Sequence, residues 1–308
     1  MSQKIIGILA TQSNNAEGYK GITIGIEEQY AKLFSQYGKV VCIMPNTLPS
    51  DYAKIDLLVL QGGADLDTSF TSDGKDLVVG NGPSNPMYSQ FYKHFLNKWI
   101  DAGVPIFGIC LGAQALNVCL GGGLTPDGPN HSLAGLHPIA VYNEQLGLYT
   151  VNDSKFLKIK RPFSTEVNSR HHQFIRPFQL AECLIPIALG VMDDSYLKTQ
   201  DNINNLWEAS SSPSSSPGLL KRFYDRKFTD INKRISHIEA FMHSSKKIAG
   251  VQWHPESMWI SLSSFTRGCE VSHVIINWLL EDDDNGVKVK VVTNDPPKTK
   301  NIATTLQV

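Results

Sequence analysis

Long apolar runs are missing from this 308-residue chain. None approaches the ~18 residues that a membrane-crossing helix needs, and the longest candidate, 181–192, is interrupted by Glu182 and Pro186. That stretch reads as a buried strand, and no membrane partner is expected. An excess of one charge is missing too. Lys and Arg number 28 against 29 Asp and Glu, a net charge of -1, so no field gathers phosphates along a groove and no nucleic-acid partner is expected. Cysteine is scarce. Cys42, Cys110, Cys119, Cys183 and Cys269 make five, an odd number without a C-x-x-C pair, which argues against a disulfide framework or a zinc ribbon. His94, His131, His137, His237, His243 and His273 show no metal-ligand spacing with a cysteine or carboxylate, so none is assigned a role and no metal is expected. The apolar block 5–10 behind Lys4 is too short for a secretory signal and has no small-residue cleavage pattern after it. It reads as a first core strand, and the expected location is cytoplasmic.

What is present is a chain able to bury a large core, 42% apolar and 19% charged. Short apolar runs at 5–10, 40–44, 57–60 and 104–109 alternate with helical periodicities. Ile26, Tyr30, Leu33, Phe34 and Tyr37 share one helix face, as do Tyr88, Phe91, Tyr92, Phe95, Leu96 and Trp99, and 113–120 is helical up to the Gly121-Gly122-Gly123 stop. Fully apolar strands separated by amphipathic helices predict an α/β, doubly wound architecture, with a mostly parallel central sheet and helices on both faces. Beyond Gly123 strand patterns dominate (139–142, 165–167, 187–191, 238–242, 248–253) before a closing helix at about 265–280. One domain is expected over 1–284. It carries a Ser/Asn-rich surface insertion at about 194–234, too polar to pack, whose part 219–235 holds a short helix pattern. A C-terminal extension at 285–308 reads as an edge strand followed by a fraying tail.

The strongest local signal is Gly108-Ile109-Cys110-Leu111-Gly112, set between a buried strand and a helix with the G-x-nucleophile-x-G spacing of a nucleophile elbow. A residue lifted out of a sheet on a strand-to-helix turn needs a tight backbone, so the positions two before and two after it must lack bulk. The helix beyond it points its free N–H groups and positive dipole end at the sulfur, which favours thiolate. The Leu111 N–H faces the place where a substrate carbonyl oxygen would become negative, and Gly62-Gly63, after the 57–60 strand, offers a second donor if both loops share one carboxyl edge.

A partner lies far downstream in Gly250-Val251-Gln252-Trp253-His254-Pro255-Glu256, again at the end of an apolar strand. In an extended segment the side chains at i and i+2 point the same way, so His254 and Glu256 are expected to meet, with Pro255 stiffening the link. A carboxylate on one imidazole nitrogen fixes the tautomer and frees the other nitrogen to take a proton from sulfur. Either motif alone fits a packing turn or a surface ion pair. Together they make Cys110, His254 and Glu256 a plausible thiol triad. The other dense polar cluster is Val167-Asn168-Ser169-Arg170-His171-His172-Gln173.

Taken together with Gln61-Gly62-Gly63-Ala64-Asp65 and with Gln114-Ala115-Leu116-Asn117-Val118, these stretches resemble the class I glutamine amidotransferase superfamily. Within it they resemble the gamma-glutamyl hydrolase branch that includes gamma-glutamyl-GABA hydrolases. The resemblance covers about 4–280, outside the insertion, and the 167–173 motif is what looks like the hydrolase branch. It implies a flavodoxin-like fold and hydrolysis of a gamma-glutamyl amide through a cysteinyl thioester, without metal or organic cofactor. By motif position Cys110 is the nucleophile, His254 the general base and acid, and Glu256 its orienter. Gly63 and Leu111 supply oxyanion N–H groups, while Gln114 and the loop of Ser169 and His171 hold the glutamyl amino and carboxylate ends. The partner so implied is a small-molecule gamma-glutamyl substrate; a homodimer is left open.

Two departures stand out. The hydrolase branch has arginine directly after the nucleophile, where this chain has Leu111 as biosynthetic glutaminase domains do, and the Arg and Glu that mark the helix before the elbow are absent from 88–99. Loss of a two-pronged carboxylate binder leaves the leaving group open. Two other readings stay open as well: a glutaminase component feeding ammonia to a separate synthase, and a non-catalytic relative that binds through its insertion.

Overall fold

The computed structural model describes residues 3–13, 23–66, 86–125, 135–141, 163–171, 173–191, 198, 201–202, 235–261 and 267–281. The expected insertion at 194–234, except residues 198, 201 and 202, lies outside them, as does the extension at 285–308.

In chain order the elements are β1 (Ile5–Leu9), β2 (Thr11–Ser13), β3 (Thr23–Gly25), α1 (Glu28–Phe34), β4 (Lys39–Ile43), β5 (Leu57–Leu60), α2 (Pro86–His94), α3 (Leu96–Asp101), β6 (Ile106–Ile109), α4 (Leu111–Cys119), β7 (Gly135–Val141), β8 (Phe163–Ser169), β9 (Leu184–Val191), β10 (Ile235–His243), β11 (Ile248–Val251), α5 (Pro255–Ser261) and α6 (Arg267–Leu280). The main sheet has nine strands in the order β4-β1-β5-β6-β11-β10-β9-β7-β8, and β2 and β3 form a separate small hairpin.

The sheet is mixed. From β4 to β11 neighbouring strands pair parallel, and from β11 to β8 they pair antiparallel. A mostly parallel sheet is therefore correct for the first five strands and is corrected for the last four. Residues 244–247 alone separate β10 from β11, too few for the crossover that a parallel pair requires. Inside the parallel half the strands are covered on both faces: every residue of β5, β6 and β11 is buried, while the edge strand β4 keeps Lys39 and Cys42 exposed. The antiparallel β8 instead alternates, with Thr165, Val167 and Ser169 buried and Glu166 exposed, as a strand with one wet face does.

Helices cover both faces of the sheet. Leu58 and Leu60 of β5 join a core with Tyr88, Phe91 and Tyr92 of α2, Leu96 and Trp99 of α3, and Leu111 and Leu116 of α4. Leu57 and Val59, pointing the other way, pack with Tyr30 and Phe34 of α1, Met258 of α5 and Ile275 and Leu279 of α6. The aromatic periodicity through Trp99 is divided between α2 and α3 at Phe95, yet its buried face is the expected one. The first helix is shorter than its periodicity: α1 ends at Phe34, and Gln36 and Tyr37 continue as turns.

Three glycines let α4 sit almost on the sheet. A Cβ on Gly112 would lie 2.3 Å from the Leu60 carbonyl oxygen, one on Gly108 would lie 2.7 Å from backbone atoms of Gly112 and Ala113, and one on Gly250 would lie 2.9 Å from the Ala113 Cβ. Backbone cannot swing away as a side chain can. Gly112→Ala is thus expected to cost about 1–3 kcal/mol of stability or more by overpacking, seen as a lower urea midpoint with an unchanged slope.

Candidate active site

Parallel pairing sends β5, β6 and β11 out of the sheet at the same edge. There β5 runs into Gln61-Gly62-Gly63, β6 into Cys110, and β11 into Gln252-Trp253-His254. Cys110 and His254, remote along the chain, thus leave the sheet at one carboxyl rim.

Cys110 links β6 to α4. Its N–H still donates to the Val251 carbonyl at 2.8 Å, as a last sheet bond, while its own carbonyl accepts the Gln114 N–H at 3.0 Å, as the first helix bond. Serving both elements in one residue forces φ to 51° and ψ to -107°. Among the described residues it is the one non-glycine residue with positive φ. Such a conformation costs of order 1–3 kcal/mol and persists only where the surroundings over-determine it; here the sheet bond, the helix bond and the glycine contacts do so.

His254 lies close to the sulfur. A Cβ on Gly62 would approach the His254 Cε1 to 2.8 Å and the Cys110 Cβ to 3.5 Å, so ring, sulfur-bearing carbon and glycine loop crowd one spot. On its far side His254 Nδ1 meets Glu256 Oε1 at 2.7 Å. Burial disfavours a charged imidazole, but the Cys110 sulfur, by charge and hydrogen bond, and the Glu256 carboxylate outweigh it and push the His254 pKa up to about 10. Glu256 is buried, and its Oε2 has no hydrogen-bond partner among the described residues. An imidazolium is the counter-charge that such a carboxylate needs.

The His254–Glu256 contact arises differently from the expected extended segment. Pro255 opens α5, so His254 is its N-cap and accepts the N–H groups of Ser257 and Met258 at 3.1 and 3.2 Å. Proline suits that first position because it has no N–H to leave unsatisfied. Glu256 therefore lies in the first helical turn, where the helix dipole favours a carboxylate.

Two supporting residues escape a reading of the sequence. Gln252 donates from Nε2 toward the Cys110 Sγ at 3.6 Å, and its Oε1 accepts from Gln114 Nε2 at 3.2 Å. Asn168 grips the His254 backbone from both sides: its Oδ1 accepts the His254 N–H at 2.7 Å and its Nδ2 donates to the His254 carbonyl at 2.9 Å. Both lie inside the polar motifs of the sequence, but only tertiary structure shows what an amide side chain reaches. Glu27, ahead of α1, is a third. Burial first, and Glu256 next, raise its carboxyl pKa, against the lowering fields of His254 and Arg170. Nothing in its sequence context marks it.

The residues expected to bind substrate divide into two groups. Gly63 lies against Leu111, where an added Cβ would meet Leu111 Cδ2 at 3.1 Å, so the two oxyanion-donor candidates are neighbours. Gln114 is buried, with its amide nitrogen committed to the Gln173 carbonyl at 2.9 Å and to Gln252. Ser169 ends β8, buried opposite Gly135. His171 is buried with both ring nitrogens facing protein: Nδ1 lies 3.0 Å from the Gln173 carbonyl and Nε2 3.9 Å from Glu239 Oε1. It belongs to a cluster with His137, His237 and Glu239, so the two histidines denied a role by their spacing are gathered by the fold. His172 lies outside the described residues.

The peptidase C26 model matches residues 4–195, from β1 through the whole of β9, which includes the elbow. The chain belongs to the peptidase C26 family. Its members fall in the class I glutamine amidotransferase-like superfamily. The glutamine amidotransferase-like protein YvdE of Lactococcus lactis subsp. lactis (strain IL1403) is 25% identical over 267 residues, covering 83% of this chain and 92% of YvdE. The carbamoyl phosphate synthase small chain of Brucella ovis is 28% identical over 122 residues, 39% of this chain and 26% of that one. Among solved structures, a glutamine amidotransferase from Thermotoga maritima aligns with TM-score 0.45 at 13% identity, over 91% of this chain and 90% of its own. PurLQS from the same organism aligns with TM-score 0.49 at 14% identity, over 90% and 100%. As a C26 chain the protein is a hydrolase by family, and among its described residues no helix is long and apolar enough to cross a membrane.

Proposed function

We propose that this C26 protein is a gamma-glutamyl hydrolase that cleaves a gamma-glutamyl amide through a thioester on Cys110, with His254 as acid and base and Glu256 as orienter. The observation that carries the reading is the meeting of Cys110, His254 and Glu256 at one sheet edge, with the strained φ of 51° at the cysteine.

In the forward half-reaction the Cys110 sulfur attacks the gamma-carbonyl carbon. The oxygen that becomes negative faces the N–H groups of Leu111 and Gly63, donors held in place before the charge forms. The carbon–nitrogen bond breaks as the His254 imidazolium gives its proton to the departing amine, leaving the thioester. Neutral His254 then takes a proton from water, hydroxide adds to the thioester, and glutamate leaves as the sulfur and imidazolium are restored. Gln114, Ser169 and His171 are proposed to shape the glutamyl end, Gln114 and His171 acting through the Gln173 carbonyl that both hold. None of the five cysteines is in a disulfide, as in a reducing cytoplasmic location.

Leu111, in place of the arginine of the hydrolase branch, favours a second reading, a glutaminase that passes ammonia to a separate synthase. The two differ in what the isolated chain does. Incubated alone with a panel of gamma-glutamyl amides, the purified protein is expected to release glutamate, and diazo-oxo-norleucine is expected to leave one adduct, on Cys110. Turnover that begins only when a partner is added would favour the glutaminase. Folded protein that takes no label and cleaves nothing would remove both.

A further inference from the structure

Away from Cys110, the antiparallel half of the sheet collects His137 from β7, His171 from just beyond β8, and His237 and Glu239 from β10. One ligating atom from each lies within 4.8 Å of all the others. The His237 and Glu239 side chains are 0% exposed, His171 2% and His137 14%. Two residues apart on one strand, His237 and Glu239 share a face, and the His237 ring fills the space where a Cβ on Gly190 would be.

Hydrogen bonding alone accounts poorly for this cluster. Three imidazoles turn the same nitrogen to the same oxygen: His237 Nε2 is in close contact with Glu239 Oε1, His137 Nε2 lies 3.3 Å from it and His171 Nε2 3.9 Å from it. A carboxylate has about two lone-pair sites per oxygen, so Oε1 is crowded, while Oε2 is buried with no hydrogen-bond partner among the described residues. The tautomer of His171 sharpens the point. Its Nδ1 lies 3.0 Å from the Gln173 carbonyl, which can only accept, so Nδ1 carries the proton and in the neutral ring Nε2 turns a lone pair toward the carboxylate. Lone pair against anion is repulsive unless a second proton on the ring or a metal cation lies between them. A carbonyl on the far nitrogen is also the usual device that sets a histidine for metal ligation.

We propose that His137, His171, His237 and Glu239 form a buried zinc(II) site. Three imidazoles and one carboxylate suit zinc, whereas calcium and magnesium call for oxygen ligands. Zn–N bonds of about 2.0–2.1 Å put tetrahedral ligands roughly 3.3 Å apart, so small side-chain rotations close the cluster onto the ion. Four protein ligands leave no open position, so the ion's part is structural. It ties β7 and β10 to the segment that runs back from His171 into β8, where the Asn168 amide holds the His254 backbone. From the other side the Glu239 carbonyl accepts the Gln252 N–H at 2.7 Å, and Gln252 reaches the sulfur. Zinc would therefore brace the two segments that align the rim, in a positioning role with no bond to substrate.

The test uses the whole 308-residue chain in a Cys110→Ala background, which removes a sulfur that would itself take zinc. Chelator-stripped, folded protein is expected to take up one equivalent of zinc, read by elemental analysis after dialysis. With cobalt(II) it is expected to give the intense visible bands of a four-coordinate site. His237→Ala is expected to lose both. Since a variant at so buried a position can unfold outright, the partly exposed His137→Ala serves beside it and is expected to bind at least about tenfold more weakly. Stripped protein that remains folded by circular dichroism and binds neither ion overturns the proposal. So does uptake by His137→Ala and His237→Ala that equals that of the parent Cys110→Ala protein. Neither readout involves hydrolysis, so the result is independent of the proposed activity.

Discussion

Cys110→Ala is expected to lower kcat for gamma-glutamyl amide hydrolysis by about 10⁴-fold or more while leaving the fold intact. The size reflects the loss of the sulfur. In the proposed mechanism no thioester then forms, and there remain only the proposed oxyanion N–H groups and substrate positioning, which by themselves accelerate hydrolysis only modestly over water. The fold survives because alanine keeps the Cβ, and the backbone demands at position 110, the sheet bond to Val251 and the helix bond from Gln114, involve no sulfur. Circular dichroism should overlay that of the wild type. Cys110→Ser should be nearly as inactive, since a hydroxyl beside His254 is a far poorer nucleophile than a thiolate at neutral pH. Retention of even a tenth of wild-type kcat in either variant would show that another group does the chemistry.

The parallel half of the fold is legible in the sequence because its signal is local. Runs such as Leu57–Leu60 are apolar throughout, and helix periodicities stand between them, so both the strands and their covering are written in short windows. The antiparallel half is legible as strands but not as pairings. β7 lies between β8, the next strand along the chain, and β9, so one of its two pairings skips a strand, and period-two alternation in β8 says which residues are buried without saying against what. The hairpin of β2 and β3, three residues each, is too short for any periodicity to mark.

The same division runs through the site. The elbow can be read because a strained cysteine needs glycine two residues away on either side, and that requirement is written in five consecutive positions. The meeting of His254 and Glu256 is expected from the wrong local geometry: Pro255 begins a helix instead of stiffening a strand, and the contact forms because the N-cap and the second helical residue also converge. The His171 cluster is legible only in part. His237 and Glu239 lie two residues apart, a pair the spacing rules passed over, but His137 of β7 and His171 beyond β8 join them only through the pairing of distant strands.

Glu256→Gln is expected to move the alkaline limb of the kcat/KM profile and to lower kcat by about 10²–10⁴-fold. In the wild type, His254 holds its proton up to about pH 10, because the neighbouring Cys110 sulfur and Glu256 carboxylate overcome the cost of burial. The proposed mechanism uses that proton for the departing amine, so kcat/KM should fall only as pH rises through about 10. Glutamine keeps an oxygen for Nδ1 but withdraws the charge, and the limb should move down toward the ordinary value of 6.5. Stability must track the same group. A folded pKa above the unfolded one adds stability that is fully present below about 6.5 and is lost as pH rises through the folded value. Urea unfolding of the wild type should therefore show stability declining between pH 6.5 and 10, and the variant should show a flatter profile across that window. If the alkaline limb stays where it is in Glu256→Gln, the imidazolium is held by the sulfur alone, and Glu256 orients the ring without setting its charge.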